Sequence, residues 1–128
     1  MNEFHLPAPA GYSHAVTAHG PLVFTSGQIA VRADGSVPEG FEAQARLVFE
    51  QLGRALDAAG AIWSDVIKLT VFVTTLDDLE AFRRVRDEFV DTSYPPASSL
   101  VRVAGLVRPE LLLEVEAVAS LPGETSPR

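Results

Sequence analysis

Apolar positions along this chain recur with two different periods, and the periods alternate. Over residues 41–59 they fall at Phe41, Ala45, Val48, Leu52, Leu56 and Ala59. Steps of three and four put them on one face of a helix, and Gly60 follows where a helix C-terminus favours glycine. Over residues 66–74 the period changes to two. Ile67, Leu69, Val71 and Val73 share one face while Val66 and Phe72 add apolar surface to the other, which predicts a central strand covered on both sides. Thr75-Leu76-Asp77-Asp78 reads as a capping box with Thr75 at the N-cap. The helix it opens turns Leu79, Phe82, Val85 and Phe89 inward and leaves Glu80, Arg83, Arg84, Arg86, Asp87 and Glu88 as a solvated outer face. Tyr94-Pro95 requires extended backbone, so the helix ends before it.

Strand patterns flank this centre. Residues 12–18 and 22–26 surround Gly20-Pro21 and predict a hairpin, and residues 28–31 continue the pairing. Residues 94–103 and 111–119 hold two further apolar runs of strand length around a connection with Gly105 and Pro109, which predicts two strands. Residues 1–11, with Pro7, Pro9 and Gly11, form an extended lead-in, and residues 123–128 a polar tail expected to be disordered. The order suits one α+β domain over residues 1–122, a mixed or antiparallel sheet with two helices on one face. The opposite sheet face would be bare in a monomer, and bare apolar faces mark interfaces.

Composition narrows the partners. The chain has 128 residues, enough for one domain with a proper core. Ten basic against seventeen acidic residues give a net charge of −7, which offers no general attraction to phosphate backbones or anionic membranes. Nucleic acid is therefore not expected as a partner. The chain has no cysteine, so disulfides, thiolate nucleophiles and sulfur-based zinc sites are excluded. Met1-Asn2-Glu3-Phe4-His5 lacks the build of a signal peptide, and no apolar run approaches the ~20 residues of a membrane span. The expectation is a cytoplasmic protein.

Candidate chemistry is sparse. In the last strand Glu114 and Glu116 alternate with Leu113, Val115 and Ala117. Carboxylates two apart on a strand lie roughly 7 Å apart. On a partly buried face one of them can retain a proton and serve as a general acid or base; on a solvated face they are ordinary surface. Gly27, at a strand end, marks either a bulge or a close approach by a ligand or a second backbone. His14, two residues after Tyr12, shares its strand face and either shuttles a proton or binds an anion, or is a hydrogen-bonded interface residue. No histidine or carboxylate set has metal-ligand spacing, Ser98 and Ser99 form no nucleophile pattern, and Gly27, Gly35 and Gly40 lack phosphate-loop spacing.

Several blocks resemble, in order, those of the Rid family (YjgF/YER057c/UK114), the reactive-intermediate deaminases. They are Tyr12-Ser13-His14-Ala15-Val16, Phe24-Thr25-Ser26-Gly27-Gln28-Ile29, Ala58-Ala59-Gly60-Ala61, the 65–74 strand, and the stretch from Tyr94-Pro95-Pro96-Ala97-Ser98-Ser99 to Leu113-Glu114-Val115-Glu116. The resemblance implies a chorismate-mutase-like fold and a homotrimer with clefts between subunits. It also implies hydrolysis of enamines or imines without a cofactor. It assigns Tyr12 and the Gly27 backbone to ligand binding and Glu114 to positioning or activating water. One position departs: the arginine that pairs with a substrate carboxylate in the family is Ser98 here. A neutral hydroxyl cannot replace a two-pronged guanidinium. The departure implies poor turnover of 2-iminobutanoate-type acids, with Ser98 as a small polar lining residue. Arg102 lies on the same strand face but roughly 13 Å along, too far to substitute. The alternative reading is a trimer that binds a metabolite or protein partner without turnover.

Overall fold

A computed structural model describes residues 6–123. The predicted tail lies, beyond Gly123, outside the described residues, as do the first five residues of the lead-in. In chain order the elements are β1 (Leu22–Phe24), β2 (Gln28–Ile29), α1 (Phe41–Ala58), a 3-10 turn at Trp63–Asp65, β3 (Val66–Val73), α2 (Leu79–Asp87), β4 (Ala97–Arg102) and β5 (Leu113–Ser120). The sheet runs β1-β5-β3-β4, with β2 also on β5. Among the strands of the described residues β3 and β4 are the parallel pair; β5 pairs antiparallel with β1, β2 and β3.

Both helices lie on one sheet face. Leu69, Val71 and Val73 of β3 and Leu113, Val115, Ala117 and Ala119 of β5 are buried beneath them. Phe41, Ala45, Val48, Leu52 and Leu56 form the buried stripe of α1. Phe49 stacks on Phe89 at 5.5 Å and tilts against Phe82 and Trp63, at 5.9 and 5.8 Å, joining the two helices. The α1 helix ends as the sequence predicts, with Gly60 at φ 83°, a left-handed conformation that glycine adopts at little cost. The opposite sheet face stays open. The side chains of β3 on that face, among them Lys68, Thr70 and Phe72, are half-buried, while Phe24 is 71% exposed and Val101 46%. The expectation that both faces of β3 are covered therefore holds for one face within a chain.

Three local predictions are corrected. Residues 12–18 do not form a hairpin with β1, which pairs with β5 instead. The earlier segment touches the sheet through a single bridge between Ser13 and Ala97. It is held by Ser13 N–H donating to Pro96 O at 3.0 Å and by Ser13 Oγ–H donating to Pro95 O. Its far end is fixed by the N–H groups of His19 and Gly20, which donate to Ser120 Oγ at 3.0 and 3.1 Å. These bonds to other segments take the place of a ladder. Thr75 is not the cap of α2. Its Oγ1 accepts from Asp77 N–H at 3.1 Å and closes a turn, while Asp78 stands at the N-cap with no side-chain bond. The third correction is Arg86, assigned to the solvated face of α2 but only 6% exposed.

Candidate functional site

The sheet gathers the sequence-predicted residues into two pairs. In the first, Glu114 of β5 is opposite Phe72 of β3 and Ile29 of β2, between the buried neighbours Leu113 and Val115. It therefore emerges, half-buried, on the open face. The chain from β1 to β2 bulges beside it. Phe24 to Gln28 spans four steps against three from Val118 to Val115 on β5. Thr25 repairs the ladder there: its N–H donates to Ala117 O and its Oγ1 accepts from Ala117 N–H, both at 3.0 Å. The bulge turns the Gly27 backbone toward Glu114. A Cβ on Gly27 would overlap Glu114 Oε2 and lie 2.8 Å from Cδ. Of the two readings of Gly27 the bulge is the one seen, and the group close to it within the chain is the Glu114 side chain, neither a ligand nor a second backbone.

The second pair is Tyr12 and Ser98. The Ser13–Ala97 bridge sets Tyr12 beside β4. Ser98 pairs with the buried Leu69, which puts it on the helix side of the sheet. Together with Leu79, Phe82, Arg83, Arg86 and Leu100, Tyr12 and Ser98 line a cavity of about 280 Å³ between β4 and α2. The two pairs are not brought together within one chain: they lie on opposite faces of the sheet with β3 between them. His14 is exposed. Its Nε2 is 2.6 Å from Pro7 O, and its ring meets the Tyr12 ring edge-on at 5.5 Å. Arg102 is exposed and forms no ion pair among the described residues.

The cavity holds what the sequence reading missed. Ser98 shares it with two guanidinium groups from α2. Arg86 Nε donates to Asp87 Oδ1 at 2.9 Å, and Cζ is 6.0 Å from the centre of the Phe82 ring. Gly11, at φ 78°, packs against the guanidinium so closely that a Cβ there would be 2.8 Å from Cζ. A signal for its burial was present in the sequence. Arg86 follows Phe82 by four and precedes Phe89 by three, on the apolar stripe of α2.

Comparison with known proteins fixes the family. The family described as Endoribonuclease L-PSP matches residues 4–121. The chain belongs to the Rid family. A RutC family protein of Synechocystis sp. is 38% identical over 124 residues, covering 91% of each chain. The Escherichia coli K12 protein named "Putative reactive intermediate deaminase TdcF" is 41% identical over 103 residues, 78% of this chain and 79% of that one. The crystal structure of E. coli TdcF with bound serine superposes with a TM-score of 0.74 over 90% of this chain and 91% of TdcF, at 38% identity. The Rid family protein YyfB of Yersinia pestis gives 0.75 over 87% of both chains at 34% identity. The two-helix, mixed-sheet architecture of this Rid protein is the fold of these neighbours.

Proposed function

We propose that this Rid protein hydrolyses a small enamine or imine, with Glu114 as the base that positions and activates water. Tyr12, Ser98, His14 and the Gly27 backbone bind the ligand. The observation that carries the reading is the Glu114 carboxylate held against the Gly27 backbone on the open face of the sheet. An enamine first takes a proton on carbon and becomes the iminium ion. Water then adds to the C=N carbon, giving up a proton to Glu114 and forming a C–O bond. The carbinolamine nitrogen takes that proton from Glu114, the C–N bond breaks as the hydroxyl oxygen forms the C=O bond and releases its proton to water, and ammonia leaves a carbonyl product. A carboxylate within reach of the attacking water suits this general-base role.

The two pairs lie on opposite sheet faces, so a complete cleft requires a second copy. The β4 edge of one chain, with Tyr12 and Ser98, meets the open face of another, with Gly27 and Glu114. This arrangement is that of a homotrimer with three inter-subunit clefts. The serine bound to TdcF supports a ligand of amino-acid size. The net charge of −7 weighs against RNA cleavage, despite the family's description.

The test is imine hydrolysis. A pyridoxal-phosphate dehydratase generates the imine in situ, and carbonyl release is followed with wild type and Glu114→Gln. The expected result is a loss of about a hundredfold or more for Glu114→Gln with assembly unchanged. Loss of assembly in that variant would make Glu114 structural. Ligand binding without acceleration by wild type would favour the non-catalytic metabolite-binding trimer.

A further inference from the structure

The Arg86 side chain is 7% exposed, and of its three guanidinium nitrogens only Nε has a hydrogen-bond partner among the described residues. That partner, Asp87, is 46% exposed and adjacent in sequence. Burying a cation is costly unless its donors are met. Among the described residues no buried side-chain nitrogen lacks a partner, so the two terminal nitrogens retain access to solvent, and the side chain lines the cavity. Two hydroxyls, from Tyr12 and Ser98, line the same wall system, Arg83 adds a second cation, and Leu79, Phe82 and Leu100 supply apolar surface. The cavity therefore combines a charged fork, two neutral donors and room for a few heavy atoms. Among the described residues no carboxylate side chain lines it.

We propose that Arg86, assisted by Arg83, Tyr12 and Ser98, is an anion subsite that holds the carboxylate of a small ligand from helix α2. The inference rests on reading this cavity as part of the ligand cleft. It replaces the expectation that Ser98 leaves the cleft without a cation: the cation comes from the helix rather than from β4. A guanidinium presents parallel N–H donors matched to two carboxylate oxygens, and a low-dielectric setting strengthens the pair. The Phe82 ring and the Gly11 backbone hold the guanidinium in place, so little side-chain freedom remains to be lost on binding.

The test is calorimetric titration of the full-length protein with 2-oxobutanoate and with its methyl ester, which reads binding without turnover. The expected result is binding of the acid and at least about tenfold weaker binding of the neutral ester. Arg86→Gln should weaken the acid by about tenfold or more and the ester by a smaller factor, and Ser98→Arg added to Arg86→Gln should restore binding of the acid. If Arg86→Gln does not fold, Arg86→Lys and Arg83→Gln carry the test, each expected to bind the acid more weakly. Equal affinity for acid and ester in wild type, or full acid affinity in the Arg86 and Arg83 variants, would overturn the proposal. A failure of the hydrolysis reading alone would appear differently: acid binding dependent on Arg86, with no turnover dependent on Glu114.

Discussion

The carboxylate of Glu114 occupies the space that a β-carbon on Gly27 would need. The relation links a glycine in a bulge with an acid on the neighbouring strand, and the acid's position depends on the missing side chain. Thr25 makes it possible by restoring, through Oγ1, the ladder bond to Ala117 that the bulge would otherwise lose.

Gly27→Ala should therefore separate stability from activity. The obstructing atoms are the far end of a flexible side chain, so the fold can accommodate the methyl group by rotating Glu114 away. Thermal denaturation should show a change of no more than about 1 kcal/mol. Carbonyl release should fall by at least about tenfold. Gly27→Ala combined with Glu114→Gln should be no slower than Glu114→Gln alone, because both act through one carboxylate. Additive losses would mean that Gly27 acts by another route.

The open sheet face yields the second prediction. Phe24, 71% exposed, and Val101, 46% exposed, flank Lys68, Thr70 and Phe72 on a surface that neither helix covers. Light scattering should give a mass about three times that of one chain for the wild type. Phe24→Asp should shift the mass toward one chain, since it places a charge in an apolar contact. Turnover should fall with the mass, because Tyr12 and Glu114 of one chain cannot meet. A monomeric wild type with full activity would contradict the two-copy cleft.

How far the sequence carried this picture depends on what each signal reports. The 3.6-residue stripe of α1 and the alternation in β5 give burial directly, and both elements form where the pattern places them. The same alternation puts Glu114 on the face away from the helices. The pairing of residues 12–18 was not legible. Alternation identifies a strand-like segment but does not name its partner, and here the segment's polar groups bond to Pro95, Pro96 and Ser120 rather than to β1. At Arg86 charge and position give opposite signals for burial. Its place on the apolar stripe, four residues after Phe82, was the better guide. That Gly27 meets Glu114 while Tyr12 and Ser98 line one cavity depends on sheet order, which no local pattern encodes.

Gln44 gives a prediction about stability alone. It is 2% exposed and uses its whole amide. Nε2 donates to Pro38 O at 3.1 Å and to Glu110 O at 2.9 Å, while Oε1 accepts from Leu112 N–H at 2.8 Å. The residue thereby ties α1 to the loop before it and to the entry of β5. Gln44→Leu keeps the volume but strands two carbonyls and one N–H, at roughly 2–4 kcal/mol. Gln44→Glu loses the donors and adds a buried charge, and should be worse. Denaturant unfolding measures both; a neutral Gln44→Leu would mean that water reaches these groups.

Acid should loosen the clamp between the helices before it affects the core. Arg46 donates to Glu88 across α1 and α2, with Nη2 to Oε2 at 2.7 Å and Nε to Oε1 at 3.3 Å. The hydrogen bond from Arg46 holds the Glu88 carboxyl below the ordinary carboxylate range. A carboxyl whose pKa is lower folded than unfolded adds stability above its unfolded value, and that stability is lost as pH falls through the folded value. The contribution should therefore be fully present at neutral pH and be lost as pH falls below the ordinary glutamate value of about 4.3 and through the lower folded one. Because the pair is solvent-exposed, its effect is small and screened by salt. Arg46→Gln should lower Tm slightly at neutral pH and low ionic strength, and the gap from wild type should narrow on acidification and on adding salt. A gap that stays constant with pH would show that Arg46 stabilises the helix pair by packing its aliphatic stem, with the ion pair contributing nothing.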